Sequence, residues 1–301
     1  MSAGVGDISV VIPYYNRERY VDEAIQSVLS QTLRPLEIII VNDASRASSR
    51  THLDSYASVC RIVDLPVNVG LAGARNAGIR AARGKYIAFL DDDDIWLPRK
   101  LEVQYDYMHK HPECAVVHTA VWAFFSDRPD TLWIREWSAP MTLAEALTDS
   151  GWAIPSSLLV RAEVARTVWF DANFRECEDR DFIIRCCAVG YRIEGIREPL
   201  VRFRRQGHAS LTKSRRRMLR IDLKLFWKHR KHYNRAYGPR GFVSFMLEKL
   251  WIASQDSRYM RRAVRFLVRF IKVKYHTRNS YREPVRVGDV RRPPLPGAGT
   301  I

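Results

Sequence analysis

Short β-branched runs alternate with helical patterns through the first hundred residues, and that rhythm of βαβ units commits the chain to a parallel sheet with helices on its faces. The runs are Ile8–Pro13, Leu36–Val41, Arg61–Leu65 and Lys85–Leu90. Between the first two, Asn16 is suited to cap a helix whose apolar positions Val21, Ala24, Ile25, Val28 and Leu29 share one face. Leu71–Arg83 reads as a second helix stopped by Gly84, and Pro98–His111 as a third that begins with proline. From about 114 the pattern is mixed: strands at Ala115–Phe125 and Ser156–Val160, helices at Thr142–Asp149 and Asp179–Val189.

In an open parallel sheet, ligands settle outside the carboxyl ends of the strands, where the loops converge. Here strand one runs into Pro13-Tyr14-Tyr15-Asn16, strand two into Asn42-Asp43-Ala44-Ser45 and strand four into Asp91-Asp92-Asp93-Asp94. Asn42-Asp43 taken alone is also ordinary turn chemistry. Four aspartates directly behind Tyr86-Ile87-Ala88-Phe89-Leu90 say more, because like charges so close repel one another unless something positive is bound. A hard divalent cation, Mg2+ or Mn2+, clamped between carboxylates and a diphosphate meets that need. An acidic solvated turn ahead of Ile95-Trp96 is the alternative. A second acidic cluster, Glu176, Glu178, Asp179 and Asp181, opens a helix, where first-turn carboxylates suit the helix dipole and can equally supply a general base.

Charge divides the 301 residues into two electrostatic objects, net −6 over 1–200 and net +22 over 201–301. No run approaches the ~20 apolar residues that span a bilayer, and Met1-Ser2-Ala3-Gly4 does not open a secretory leader, so a cytoplasmic protein is expected. Cys60, Cys114, Cys177, Cys186 and Cys187 contain no C-x-x-C pair and read as buried thiols rather than a zinc site or disulfide framework.

The ordered set Val10-Val11-Ile12-Pro13-Tyr14-Tyr15-Asn16, Ile40-Val41-Asn42-Asp43-Ala44-Ser45, Asn68-Val69-Gly70-Leu71-Ala72-Gly73-Ala74-Arg75-Asn76-Ala77-Gly78-Ile79 and Gly84 through Trp96 resembles glycosyltransferase family 2. The likeness is strong over about 100 residues and weaker to about residue 212. It implies an α/β GT-A fold, a Rossmann-like mostly parallel sheet flanked by helices, with a nucleotide-diphospho-sugar donor, Mn2+ or Mg2+, and inversion at the anomeric carbon. By the same resemblance Pro13 and Tyr15 line the base and ribose pocket, Asp43 bonds the base, usually uracil, and Arg75 lies nearby. Asp91, Asp92 and Asp93 cover the D-x-D region, with Asp93 as metal ligand and Asp91 or Asp92 toward the ribose. Glu178-Asp179 resembles the family's E-D motif, which makes Asp179 the catalytic base. In Phe203 through Ser210, Gln206 stands where a metal-binding His commonly falls and His208 follows two residues later, so either could lie at the metal. Trp152 and Pro155-Ser156-Ser157 fall where the family shapes the acceptor side.

The resemblance gives a catalytic domain over 1–212, with a nucleotide-sugar half at 1–112 and an acceptor half at 113–212; beyond it the basic, helical pattern marks an appendage at 213–283, and four Pro and three Gly mark a disordered tail at 284–301. The appendage holds helical stretches near 214–233, 241–253 and 258–275. In the last of these Arg258, Arg262, Arg265, Arg269 and Lys272 form a basic stripe, with Met260, Val264, Leu267 and Ile271 as an apolar one. Such a helix either lies on an anionic membrane, placing the enzyme at the inner face of the cytoplasmic membrane, or packs on the catalytic domain. The expected activity is transfer from a UDP-sugar to a glycan or lipid-linked glycan of the cell envelope. A nucleic-acid-binding protein, or a sugar-nucleotide-binding protein without transferase activity, is the competing class; nucleic acid is disfavoured because the first 200 residues already carry a small-molecule site.

Overall fold

The computed structural model of the protein describes residues 6–126, 128–135, 140–149, 153–205, 215–239, 243 and 285–286. In chain order the elements are β1 (Ile8–Tyr14), α1 (Glu18–Leu29), β2 (Glu37–Asn42), α2 (Ala47–His52), β3 (Arg61–Asp64), α3 (Gly70–Ala81), β4 (Tyr86–Phe89), β5 (Ile95–Trp96) and α4 (Lys100–Lys110). There follow β6 (Cys114–Phe125), β7 (Arg128–Arg135), α5 (Leu143–Asp149), β8 (Leu158–Arg161), α6 (Ala162–Val168), α7 (Glu178–Val189), β9 (Arg192–Arg205), α8 (Arg215–Lys228) and β10 (Val285–Arg286).

The first four strands lie in the order β3-β2-β1-β4, all parallel, with Ile12 opposite Ile40 and Val10 opposite Ala88. Every residue of β1 and β4 is buried, as expected of strands covered on both faces. The helix α3 packs so closely on β1 that a Cβ at Gly78 would stand 2.2 Å from Val11 Cγ1. Beyond β4 the sheet changes character: β8 runs antiparallel to β4, and β6 antiparallel to β8. Along its other edge β6 pairs in parallel with β9, which also takes β5 antiparallel.

Several local expectations are corrected. Asn16 does not cap α1: it has φ 52, a left-handed conformation Asn tolerates, and its Oδ1 accepts from the Arg46 N–H at 2.9 Å. Arg17 takes the N-cap position, with no side-chain capping bond. Gly84 does not stop α3, which ends at Ala81 with extended Ala82 as its cap. Gly84 is small because a Cβ there would meet the backbone, 2.6 Å from Ser9 N and 2.7 Å from Asp7 O. The strands β5, β7 and β9 stand where the sequence reading placed none. β9 carries Arg192, Glu194, Arg197, Glu198, Arg202, Arg204 and Arg205, a density of charge that hides its pairing along β6.

Two compact units divide the chain, one of Met1–Met141, Ser150–Gly207 and Ser280–Ile301, the other of Thr142–Asp149 and His208–Asn279. Within the second unit α8 is followed by helical turns over 230–239. Leu225, Phe226 and Tyr233 are buried there, and the Tyr233 hydroxyl donates to the Leu147 carbonyl of α5 at 2.5 Å. The expected helices at 241–253 and 258–275, with the basic and apolar stripes, and the tail at 284–301 lie outside the described residues apart from 243 and 285–286. Among the described residues no helix is long and apolar enough to cross a membrane.

Candidate active site

The ends of β1, β2 and β4 converge, and hydrogen bonds between their loops show how. The Asp43 N–H donates to the Tyr14 carbonyl at 2.9 Å, the Asn16 N–H to Ser45 Oγ at 3.2 Å, and the Tyr15 N–H to Asp92 Oδ2 at 3.5 Å. Pro13 and Tyr14 are buried, whereas Tyr15, the first residue beyond β1, is 48% exposed where the strand leaves the covered sheet.

Asp43 is buried and does a structural task as well as any ligand-binding one. Its Oδ1 accepts from the Val69 N–H at 2.7 Å and its Oδ2 from the Gly70 N–H at 2.8 Å. These are orphan donors at the start of α3, whose own N-cap residue offers no side-chain bond. The carboxylate therefore ties the end of β2 to the beginning of α3.

All four consecutive aspartates are held by partners from the chain itself. Asp91 faces Arg75, with Nη2 at 2.6 Å from Oδ1. Asp92 and Asp93 share Arg17, whose Nη1 lies 3.0 Å from Asp92 Oδ1 and 2.7 Å from Asp93 Oδ2. Asp94 accepts from Ser156 Oγ at 2.6 Å and from the Arg204 N–H at 2.8 Å. Arg204 continues the network: its Nε donates to the Asp93 carbonyl at 2.8 Å and its Nη2 to Glu23 at 2.6 Å. The positive charge that an aspartate run demands is thus supplied by the chain itself, from three elements. Sequence reasoning foresaw the demand but not Arg17 or Arg204, whose proximity exists only once α1 and β9 are folded.

Burial nevertheless keeps this cluster acidic only at a cost. It pushes Asp92 up to about 7, against the pull of Arg17 and with help from Asp93 and Asp91. Burial also raises Asp93 and lifts Asp94 well above the usual carboxylate range. Carboxylates held in this condition are receptive to a further cation.

The second acidic cluster joins the first through Arg75. Its Nη1 lies 2.6 Å from Glu178 Oε1, so one guanidinium, 1% exposed, spans the end of β4 and the start of α7. Burial opposes that charge, but Asp91 and Glu178 outweigh it and hold Arg75 above the ordinary arginine value. The residue the resemblance placed near the base is here the link between the two acidic clusters. Within α7, Asp181 pairs with Arg185 Nε at 2.7 Å. Asp179 pairs with no guanidinium among the described residues; its Oδ1 accepts from the Arg180 N–H at 2.7 Å. Its pKa is raised, by burial first. Arg75 and Arg180 pull against that rise without cancelling it.

Ser156 and Ser157 are fully buried in a short 3-10 turn, Pro155–Ser157. Ser156 Oγ also accepts from the Asp91 N–H at 3.1 Å, so this turn braces the aspartate run. Trp152, Gln206 and His208 lie outside the described residues. Among the described residues no three His, Cys, Asp or Glu side chains converge as a ready-made metal cage.

Comparison with known proteins agrees with this geometry. The model for "Glycosyl transferase family 2" matches residues 9–169, from β1 through α6 and across the aspartate run. "Uncharacterized glycosyltransferase MJ1057" of Methanocaldococcus jannaschii is 29% identical over 258 residues, covering 81% of this chain and 88% of that protein. "UDP-Glc:alpha-D-GlcNAc-diphosphoundecaprenol beta-1,3-glucosyltransferase WfgD" of Escherichia coli is 37% identical over 105 residues, 35% of this chain and 42% of its own length. Among solved structures, S. aureus TarS 1-349 in complex with UDP-GlcNAc superposes with a TM-score of 0.61 at 16% identity, covering 87% of this chain and 91% of that one. The architecture is the GT-A fold, and the chain belongs to glycosyl transferase family 2.

Proposed function

We propose that this glycosyltransferase moves a sugar, with inversion, from a nucleotide-diphospho-sugar, a UDP-sugar, to a glycan or lipid-linked glycan of the cell envelope. The observation that carries the reading is the single guanidinium of Arg75 between Asp91 and Glu178, which ties the aspartate run after β4 to the start of α7. Asp179, next in sequence to Glu178, is the base: it takes the proton of the acceptor hydroxyl as that oxygen attacks the anomeric carbon opposite the nucleotide. Pro13, Tyr15 and Asp43, at the ends of β1 and β2, face the nucleoside. WfgD carries UDP-Glc and a diphosphoundecaprenol acceptor in its name, and TarS 1-349 was solved in complex with UDP-GlcNAc, which supports the donor and acceptor classes.

The donor set suits a hard cation. Asp93, with the diphosphate, would hold Mn2+ or Mg2+, with Asp91 or Asp92 toward the ribose, and an ion there would supply Lewis-acid neutralisation of the departing diphosphate. His208 or Gln206 would complete its shell. The basic stretch 213–283 is proposed to rest on anionic lipid, on the strength of the net +22 of residues 201–301, which would keep the enzyme at the cytoplasmic face of the membrane.

The test is a screen of nucleotide-sugars for thermal stabilisation in Mn2+ and in EDTA. A UDP-sugar that raises the melting temperature in Mn2+ and not in EDTA is expected. No metal-dependent shift from any nucleotide-sugar would sink the donor-site reading.

A further inference from the structure

Three guanidiniums surround the aspartate run, and they are not equivalent. Arg75 is buried, with a carboxylate on each terminal nitrogen. Arg204, 8% exposed at its side chain, is fixed by Asp93, Asp94 and Glu23 and stacks over Tyr20 and Phe124. Arg17 differs. Its side chain is 40% exposed, and one nitrogen, Nη1, makes both contacts to Asp92 and Asp93. Its Nε and Nη2 make no hydrogen bond among the described residues. Of the three, Arg17 is the cation whose head group can leave without breaking another bond.

The position it holds is the one a divalent ion needs. A single nitrogen bridging two carboxylates, entering from the solvent side over acids only 8% and 15% exposed, occupies the place of a bridging metal. Two cations on one carboxylate repel, so the metal and this guanidinium compete there.

We propose that Arg17 is the resident cation of the donor site, displaced when metal and diphosphate enter. The proposal rests on the reading that Asp93 takes Mn2+ or Mg2+. Metal arriving alone must strip Arg17 of its partners. Metal arriving with a diphosphate offers the displaced guanidinium a new anion, which arginine recognises well through paired N–H groups. The N-terminus of α1, whose N-cap Arg17 itself is, favours an anion at the same place. Arg17 thereby makes the site discriminate against the free ion and in favour of the ion together with the nucleotide.

The experiment is Mn2+ binding to the full chain at pH 8, by titration calorimetry and by the paramagnetic resonance of free Mn2+, with and without UDP. It compares the wild type with Arg17→Met, which keeps the length of the side chain, and with Arg17→Lys, which keeps the charge. Without UDP, Arg17→Met is expected to bind Mn2+ about fivefold tighter or more, and Arg17→Lys to stay near the wild type. With UDP the gap between wild type and Arg17→Met is expected to narrow. An Arg17→Met variant that binds Mn2+ no tighter than the wild type overturns the role of Arg17 while leaving the metal reading intact. Failure of Mn2+ to bind any of the three, even with UDP, removes the cation site and the proposal with it.

Discussion

Arg75 and Glu178 stand 103 positions apart in the chain, yet the guanidinium Nη1 lies 2.6 Å from the carboxylate Oε1 with both side chains buried. Removing one partner of such a pair strands the other in a medium that cannot solvate it. Arg75→Met should cost about 3–5 kcal/mol of stability, read by urea denaturation. The double variant Arg75→Met with Glu178→Gln should cost less than the sum of its parts. Strict additivity would show that the two groups do not sense one another.

For Asp179→Asn, transfer should fall by about 10²–10⁴-fold, the usual share of a general base, while UDP binding measured by calorimetry is unchanged. Amide for carboxylate preserves the shape and the bond from the Arg180 N–H. Retained transfer assigns the base elsewhere.

Asp92 gives a pH signature. Burial pushes it up to about 7, whereas an unfolded aspartate titrates near 3.9. Between those values the folded protein keeps a proton that the unfolded chain has released. The stability this group contributes is therefore complete below about pH 4, is lost as pH rises toward 7, and is level above. Asp92→Asn cannot titrate. Denaturation from pH 4 to 8 should show the variant gaining on the wild type up to about pH 7 and then holding its advantage; a constant difference across the range would mean that Asp92 titrates normally.

Two glycines separate soft crowding from hard. At Gly78 an added Cβ meets both methyls of the Val11 side chain, so that side chain and α3 must part slightly, and Gly78→Ala should cost about 1–3 kcal/mol. At Gly84 the obstacle is the backbone of Asp7 and Ser9, which pairs with the sheet. Gly84→Ala should be the more damaging, with the lower melting temperature of the two. Equal losses would show that β1 shifts as easily as a side chain.

Much of this was legible in the residues. The parallel half follows from short β-branched runs between amphipathic helices, and polar strand ends marked the edge where the loops meet. The electrostatic demand of Asp91 to Asp94 was legible too, but not its solution, because Arg17 and Arg204 are remote in sequence from the aspartates they serve. β9 was illegible for a related reason: seven charged side chains in its fourteen residues break the apolar alternation that marks a strand, and the fold gives Arg204 to Asp93, Asp94 and Glu23. Asn16 misled because its side chain serves the Arg46 N–H across the loop rather than the helix that follows.

The antiparallel insertion of β8 has a consequence for biosynthesis. β4 ends at Phe89, but the strand that covers its second edge begins only at Leu158, after β6 and β7 have been made. A nascent chain emerging from the ribosome therefore carries Tyr86-Ile87-Ala88-Phe89 as an open, wholly apolar-lined edge while more than half of the catalytic unit has already appeared. The vulnerable interval in making this enzyme closes with the arrival of Leu158 to Arg161, and a translational pause before that point should favour aggregation over folding.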